Sequence, residues 1–189
     1  MKTLVSLFVL TLSAAPTAGA PVQEVSITVD PARSGVEFTL GDVLHTVHGT
    51  FKVKGGTVKF SPLTGAASGS ISVDVVSGNS GGGARDRRMH KEILESDKFP
   101  VAVFSPDRVT GGFDAPGEVQ AQVHGILNIH GKDHEVTIPA RINLREKDIA
   151  AEATFSMPYV KWGMKNPSTF VLRVNENVEL KMTLAGKID

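Results

Sequence analysis

Apolar and polar residues trade places with a period of two along most of this chain, and that alternation excludes more architectures than any other feature of the sequence. Val36, Phe38 and Leu40 alternate with Gly35, Glu37 and Thr39, and Ile71, Val73 and Val75 with Ser70, Ser72 and Asp74. The pattern runs longest in Val136, Ile138, Ala140, Ile142 and Leu144, set against Glu135, Thr137, Pro139, Arg141 and Asn143. It returns in Val178, Leu180, Met182 and Leu184. Strands of this kind have one face in a core and one in water. A parallel sheet covered on both faces would read as unbroken apolar runs separated by crossovers of a dozen residues, and neither occurs. The chain is therefore all-β and antiparallel.

Further strands are expected at residues 25–29, 45–51, 57–60, 101–109, 118–130 and 149–157, with turns at Lys54-Gly55-Gly56 and Gly131-Lys132-Asp133. Strands over 118–130 and 135–145 would each run roughly 35–40 Å, too long for a small flat sheet and suited to strongly curved strands in a closed or nearly closed barrel. One segment departs from the period. Residues 85–95, after the linker Ser80-Gly81-Gly82-Gly83, place Met89, Ile93 and Leu94 on one narrow stripe under a charged face. This predicts one short helix capping the barrel's end. Residues 158–166 hold the single Tyr, Tyr159, and the single Trp, Trp162, among Pro158 and Gly163, and cannot form a regular strand.

Residues 1–20 read as a signal peptide: Lys2, an apolar run from Leu4 to Leu12, then Ala18, Gly19 and Ala20. The expectation is an exported protein, periplasmic or secreted, whose residues 21–189 form one domain. No other stretch is long and apolar enough to span a bilayer, so no transmembrane segment is expected in the mature chain. The 20 Lys and Arg balance the 20 Asp and Glu without a basic stripe, which argues against nucleic acid as a partner. With no Cys, disulfides, thiolate metal sites and Cys nucleophiles are excluded by inventory.

Catalytic constellations were sought in the six His, the Ser and the carboxylates. His45 and His48, three apart in a strand, point to opposite faces, and His124 and His130 lie roughly 20 Å apart along theirs. His130 and His134 flank a tight turn and are expected as cross-strand neighbours about 5 Å apart, but two ligands fall short of a zinc site. Gly78-Asn79-Ser80-Gly81 lacks the strand and helix of a nucleophile elbow. The expectation is a protein that is not an enzyme and carries no cofactor. What stands out instead is a surplus of inward aromatic and flexible apolar side chains: Phe38, Phe51, Phe60, Phe104, Leu127, Ile129, Phe155, Met157, Trp162, Met164, Phe170 and Met182. They could line a tunnel for a ligand, or fill the barrel's own interior.

Several segments, in order, carry a resemblance. They are Asp30 through Ser34 with Val36 and Phe38, then His48-Gly49-Thr50-Phe51, then Arg85-Asp86 before the helix and Phe99-Pro100 with Phe104 after it. Val123-His124-Gly125-Ile126-Leu127-Asn128-Ile129-His130-Gly131, then Phe155, Trp162-Gly163 and Val178-Glu179-Leu180 complete the series. In this the chain resembles the YceI-like family of lipid- or polyisoprenoid-binding proteins. The resemblance implies an extended, lipocalin-like up-and-down barrel of eight antiparallel strands whose interior holds a long isoprenoid or acyl chain. Nine of the apolar candidates then form the tunnel set: Phe38, Phe51, Phe104, Leu127, Ile129, Phe155, Met157, Trp162 and Met182. Arg85, Arg87, Arg88 and His90, on the helix at the mouth, are candidates to meet an anionic headgroup such as a pyrophosphate or a carboxylate. The expected partner is an amphiphilic lipid, bound for storage or transport, with a homodimer left open. The alternatives are a stress or interaction protein that uses the barrel as a scaffold and a metal-dependent hydrolase.

Overall fold

The alternating segments all become strands. The computed structural model describes residues 24–42, 45–112, 117–170 and 172–189, so the expected signal peptide lies outside the described residues. Among the described residues the strands are β1 (Val25–Val29), β2 (Gly35–Gly41), β3 (Thr46–Phe60), β4 (Ala67–Asn79) and β5 (Val101–Gly111). They continue with β6 (Gly117–Ile129), β7 (Lys132–Arg145), β8 (Asp148–Met157) and β9 (Val178–Ile188). From β2 onward each strand pairs antiparallel with the next, and β9 returns to β2, with Val36 opposite Met182 and Phe38 opposite Leu180. That ladder closes the sheet and leaves no edge.

Nine strands make eight staves. β1 and β2 both lie between β3 and β9, β1 beside their far halves and β2 beside their near ones, joined through a 3₁₀ turn at Pro31–Arg33. Asp30 caps that turn, accepting from the Ala32 N–H at 3.0 Å and pairing with Arg33 at 2.7 Å. Where the turn interrupts the stave, the Ser34 hydroxyl stands in for a backbone group. It accepts from the Ala185 N–H at 3.0 Å and donates to the Ala185 carbonyl at 3.3 Å. The architecture is thus the eight-stranded barrel with one short helical cap that the resemblance implies.

Register shifts keep the apolar face inside. In β3 the buried or half-buried apolar residues are odd-numbered up to Val53 and even-numbered at Val58 and Phe60. Between them Val53 faces Val73 while Gly55 and Gly56 face Ser72 and Ile71, so β3 spends one extra residue there. Without it every later side chain would point to water. In β5 the same shift lies between Pro106 and Arg108, so Ala102, Phe104 and Pro106 are followed inward by Val109. Gly55-Gly56 is therefore not the turn the sequence suggested: segments 45–51 and 57–60 belong to one continuous strand.

A second correction concerns the β6–β7 hairpin. The turn residues are His130 and Gly131, with φ of 52° and 71°, and Ile129 pairs with Lys132. Positive φ at both central residues matches the twist of a two-residue hairpin. The turn falls earlier than expected, so Leu127 and not His130 lies opposite His134. The cap follows β4: α1 (Gly83–Arg88) runs into a π-helical turn, Met89–Ile93, closed by the Leu94 N–H to the Met89 carbonyl at 2.9 Å. The wider π turn carries Met89, Ile93 and Leu94 on one face toward the barrel. Among the described residues no helix is long and apolar enough to cross a membrane.

The bulge gives a direct test. At Gly56, with φ of 153°, a Cβ would stand 2.1 Å from the Ser70 carbonyl oxygen, whereas at Gly35 it would meet nothing within 4 Å. Gly56→Ala is expected to lower stability by roughly 2–4 kcal/mol and Gly35→Ala to change it by less than about 1 kcal/mol, read as the shift in denaturant midpoint.

Candidate functional site

The inward side chains of the staves enclose two apolar cavities. The first, about 160 Å³, lies beneath the cap and is lined by Phe38, Phe51, Phe104, Leu127, Ile129, Phe155, Met157, Met164 and Met182, roofed by Met89, Ile93 and Leu94. The second, about 150 Å³, lies toward the other end among Ile27, Val58, Phe60, Val109, Ile142, Ile149 and Leu184. They share Ile71, Phe104, Ile138, Ala153 and Met182, which form a waist between an upper and a lower lobe. Among the described residues no large side chain is less than 2 % exposed, which a solidly packed interior would not produce. The staves bring to the axis small residues, Ala102, Ala140, Ala151, Ala153 and Ala185, that leave the space unfilled.

The lining offers almost no polar group. In the upper lobe the one polar side chain is Tyr159, and its hydroxyl donates to the Asn175 carbonyl at 2.8 Å. Burial, with the Glu176 charge nearby, pushes the Tyr159 phenol up to about 12, so it stays a neutral donor bound to the cap. The lower lobe is lined by apolar side chains alone. A space of this kind stays dry and rewards only carbon.

Of the nine tunnel candidates, eight line the upper lobe: Phe38, Phe51, Phe104, Leu127, Ile129, Phe155, Met157 and Met182. Trp162 lines neither lobe. It stacks on the His134 ring at a centroid distance of 4.0 Å and an interplanar angle of 8°, with Phe155 6.0 Å away. His134 Nε2 is buried without a partner, and burial, helped by the Lys132 charge, pulls this imidazole below its usual value, so it is neutral under the indole. Phe60 lies in the lower lobe and Met164 in the upper. Phe170 is a correction, for it points fully into solvent. It rides on a small loop in which Thr169 and Leu172 bond each other and the Ser168 hydroxyl accepts from the Val174 N–H at 2.9 Å.

The headgroup candidates lie on the cap, none of them lining a lobe. Arg85 turns back to the linker, donating to the Ser80 hydroxyl and carbonyl, each at 2.7 Å. The Ser80 hydroxyl donates in turn to Asp86, which holds that carboxyl below its usual range. His90 reaches the Gly78 carbonyl at 2.8 Å and Ser96 Oγ at 3.1 Å. Arg88 donates to the Pro167 carbonyl at 3.2 Å and lies 3.7 Å from Glu92, which also holds Lys165 at 2.8 Å. These contacts pin the helix to the linker on one side and to residues 165–167 on the other. Arg87, exposed on the outer face, makes no such contact. At the β6–β7 turn His130 bonds Glu95 at 3.0 Å and packs on Phe99, tying the barrel rim to the cap. Of the lower lobe, sequence reasoning named as lining candidates only Phe60 and the shared Phe104 and Met182. Its residues carry the same alternation as the upper ones, but no aromatic cluster marks them.

Comparison with known proteins places this geometry. The family model described as YceI-like domain matches residues 27–185. A UPF0312 protein of Pseudomonas syringae is 28 % identical over 149 residues, 74 % of this chain and 73 % of that protein. Solved structures share the fold, among them the following two. BcnA of Burkholderia cenocepacia matches with a TM-score of 0.66 at 20 % identity, covering 83 % of this chain and 98 % of that one. A polyisoprenoid binding domain from Saccharophagus degradans, implicated in plant cell wall breakdown, matches with a TM-score of 0.67 at 16 % identity, covering 87 % and 99 %. With an eight-stave barrel closed around a dry two-lobed lumen and a family match spanning nearly all of it, the chain belongs to the YceI-like domain family.

Proposed function

We propose that this protein binds the long apolar chain of an amphiphilic lipid, of isoprenoid or fatty-acid type, inside its barrel, and that it stores or carries that lipid in the periplasm or outside the cell. The observation that carries the reading is the two-lobed lumen with carbon on its walls and its one polar side chain already bonded. The shared fold with a polyisoprenoid binding domain supports it. Each methylene moved from water to such a wall gains about 0.8 kcal/mol, so eight of them would contribute about 6 kcal/mol before ordering costs. The dry walls give the headgroup no place among them. It would emerge at an end, and the segments that build the cap, residues 83–98 and 158–177, carry eight Lys and Arg against five Asp and Glu. Export rests on the leader-like residues 1–20.

Three measurements test this. Organic extraction and native mass spectrometry of protein purified from its own host should release a stoichiometric long-chain lipid; protein that carries none and takes up none when offered would overturn the reading. Ala153→Phe, at the waist, should block the lower lobe and shift the bound population toward shorter chains, at a stability cost below about 3 kcal/mol; an unchanged chain-length distribution would show that the lobes are not threaded in series. Protein recovered from the periplasm or medium should lack roughly the first twenty residues on N-terminal sequencing.

A further inference from the structure

We infer that the capped end of the barrel is a docking face for an anionic lipid bilayer. The inference rests on the lipid-carrying reading, since a carrier has to meet the membrane that gives or receives its ligand. Its evidence is separate from the lumen. The two segments that build the cap, residues 83–98 and 158–177, hold eight Lys and Arg against five Asp and Glu, while the rest of the chain holds 12 against 15. The excess is not absorbed locally. Glu92 is taken by Lys165 and Arg88, and Glu95 by Lys98 and His130. Arg87, Lys91, Lys161 and Arg173 are exposed, and no acidic group pairs with them among the described residues.

Geometry puts these cations on the outside. Met89 and Ile93 face the lumen, Arg88 and Glu92 face residues 165–167, and His90 and Asp86 face the linker. Arg87 and Lys91, four apart, are left with the face turned away from the barrel. The segment that holds Lys161 and Arg173 and docks on the helix through Lys165 and Pro167 also projects Phe170, fully exposed on a loop tied across its base by Ser168 and Val174 and bridged to Asp42 through Val174. A Phe held in water by a hydrogen-bonded turn, on the same segment as exposed cations, matches the chemistry of a bilayer interface: phosphates for the charges and acyl chains for the ring. Leu63, also strongly exposed, sits at the opposite end in the β3–β4 turn. Tyr159 and Met164, on the segment that carries Phe170, line the upper lobe. Docking would thus bring the bilayer to the very segment that roofs the ligand.

The test is flotation of the purified full chain with phosphatidylcholine vesicles, with and without phosphatidylglycerol, at low and high salt. Wild type should float with the anionic vesicles only, and salt should release it. Phe170→Ser should weaken partition about tenfold. Lys91→Glu with Lys161→Glu should weaken it by roughly fivefold or more per position. Both variants should keep wild-type melting and wild-type lipid content on extraction. Equal binding to neutral vesicles, undiminished binding by the variants, or no flotation at all would overturn the inference, while lipid still extracted from the same preparation would leave the carrier reading intact. Retention by delipidated envelope proteins without flotation would overturn it in favour of a protein partner. Flotation by a protein that holds no lipid would do the reverse, sustaining the docking face while removing the carrier.

Discussion

The ladder between β2 and β9 is the constraint on which the rest of this protein depends. Each antiparallel pair from β2 to β9 can form between sequence neighbours, but β2 and β9 are separated by nearly the whole chain and meet only when the sheet has curled through a full turn. Until they do, the inward side chains of the staves share no common space and two long edges stand open. A single hydrogen bond in that ladder is worth about 1 kcal/mol, so what holds the barrel shut is the joint burial that closure permits. At the broken first stave the Ser34 hydroxyl and the Asp30 N–H both bond Ala185 and keep the closing strand paired across the interruption.

Closure also decides what lies inside. Eight tilted staves fix a diameter, and whether side chains fill it depends on their reach. Here Phe104 and Met182 reach far enough to pinch the axis, while the alanines above and below them do not, and the interior divides into two lobes. The cap completes the upper lobe and adds to it one polar side chain, Tyr159, whose hydroxyl is already bonded. Arg85, Arg88 and His90 spend their donors on the linker, on Pro167 and on Gly78, and Tyr159 spends its own on Asn175, so a long chain entering the lumen would strip no polar group of its partner. The same economy leaves the outer face of the cap with charges that have no internal use.

Strand identity, antiparallel pairing and the existence of a short helix were legible along the chain, because a period of two and a stripe at i, i+4 and i+5 are local consequences of geometry. Eight of the nine tunnel candidates line the upper lobe for the same reason: they are the large members of the inward set. Trp162 and Phe170 were not placed correctly by that logic, since both sit in irregular backbone where no period says which way a side chain points.

The sequence by itself determined that this is an all-β antiparallel protein with one face of nearly every strand turned inward, because alternation is written residue by residue. Only the tertiary structure decided three other things. It made Gly55-Gly56 a bulge inside β3 instead of a turn, because the strand continues against Ser72 and Ile71 of β4, a partner the local sequence does not name. It placed Phe170 in water and Trp162 on His134, because long-range contacts orient the cap. And it left the lumen hollow, because whether opposing side chains meet across an axis depends on a barrel diameter that no single strand contains.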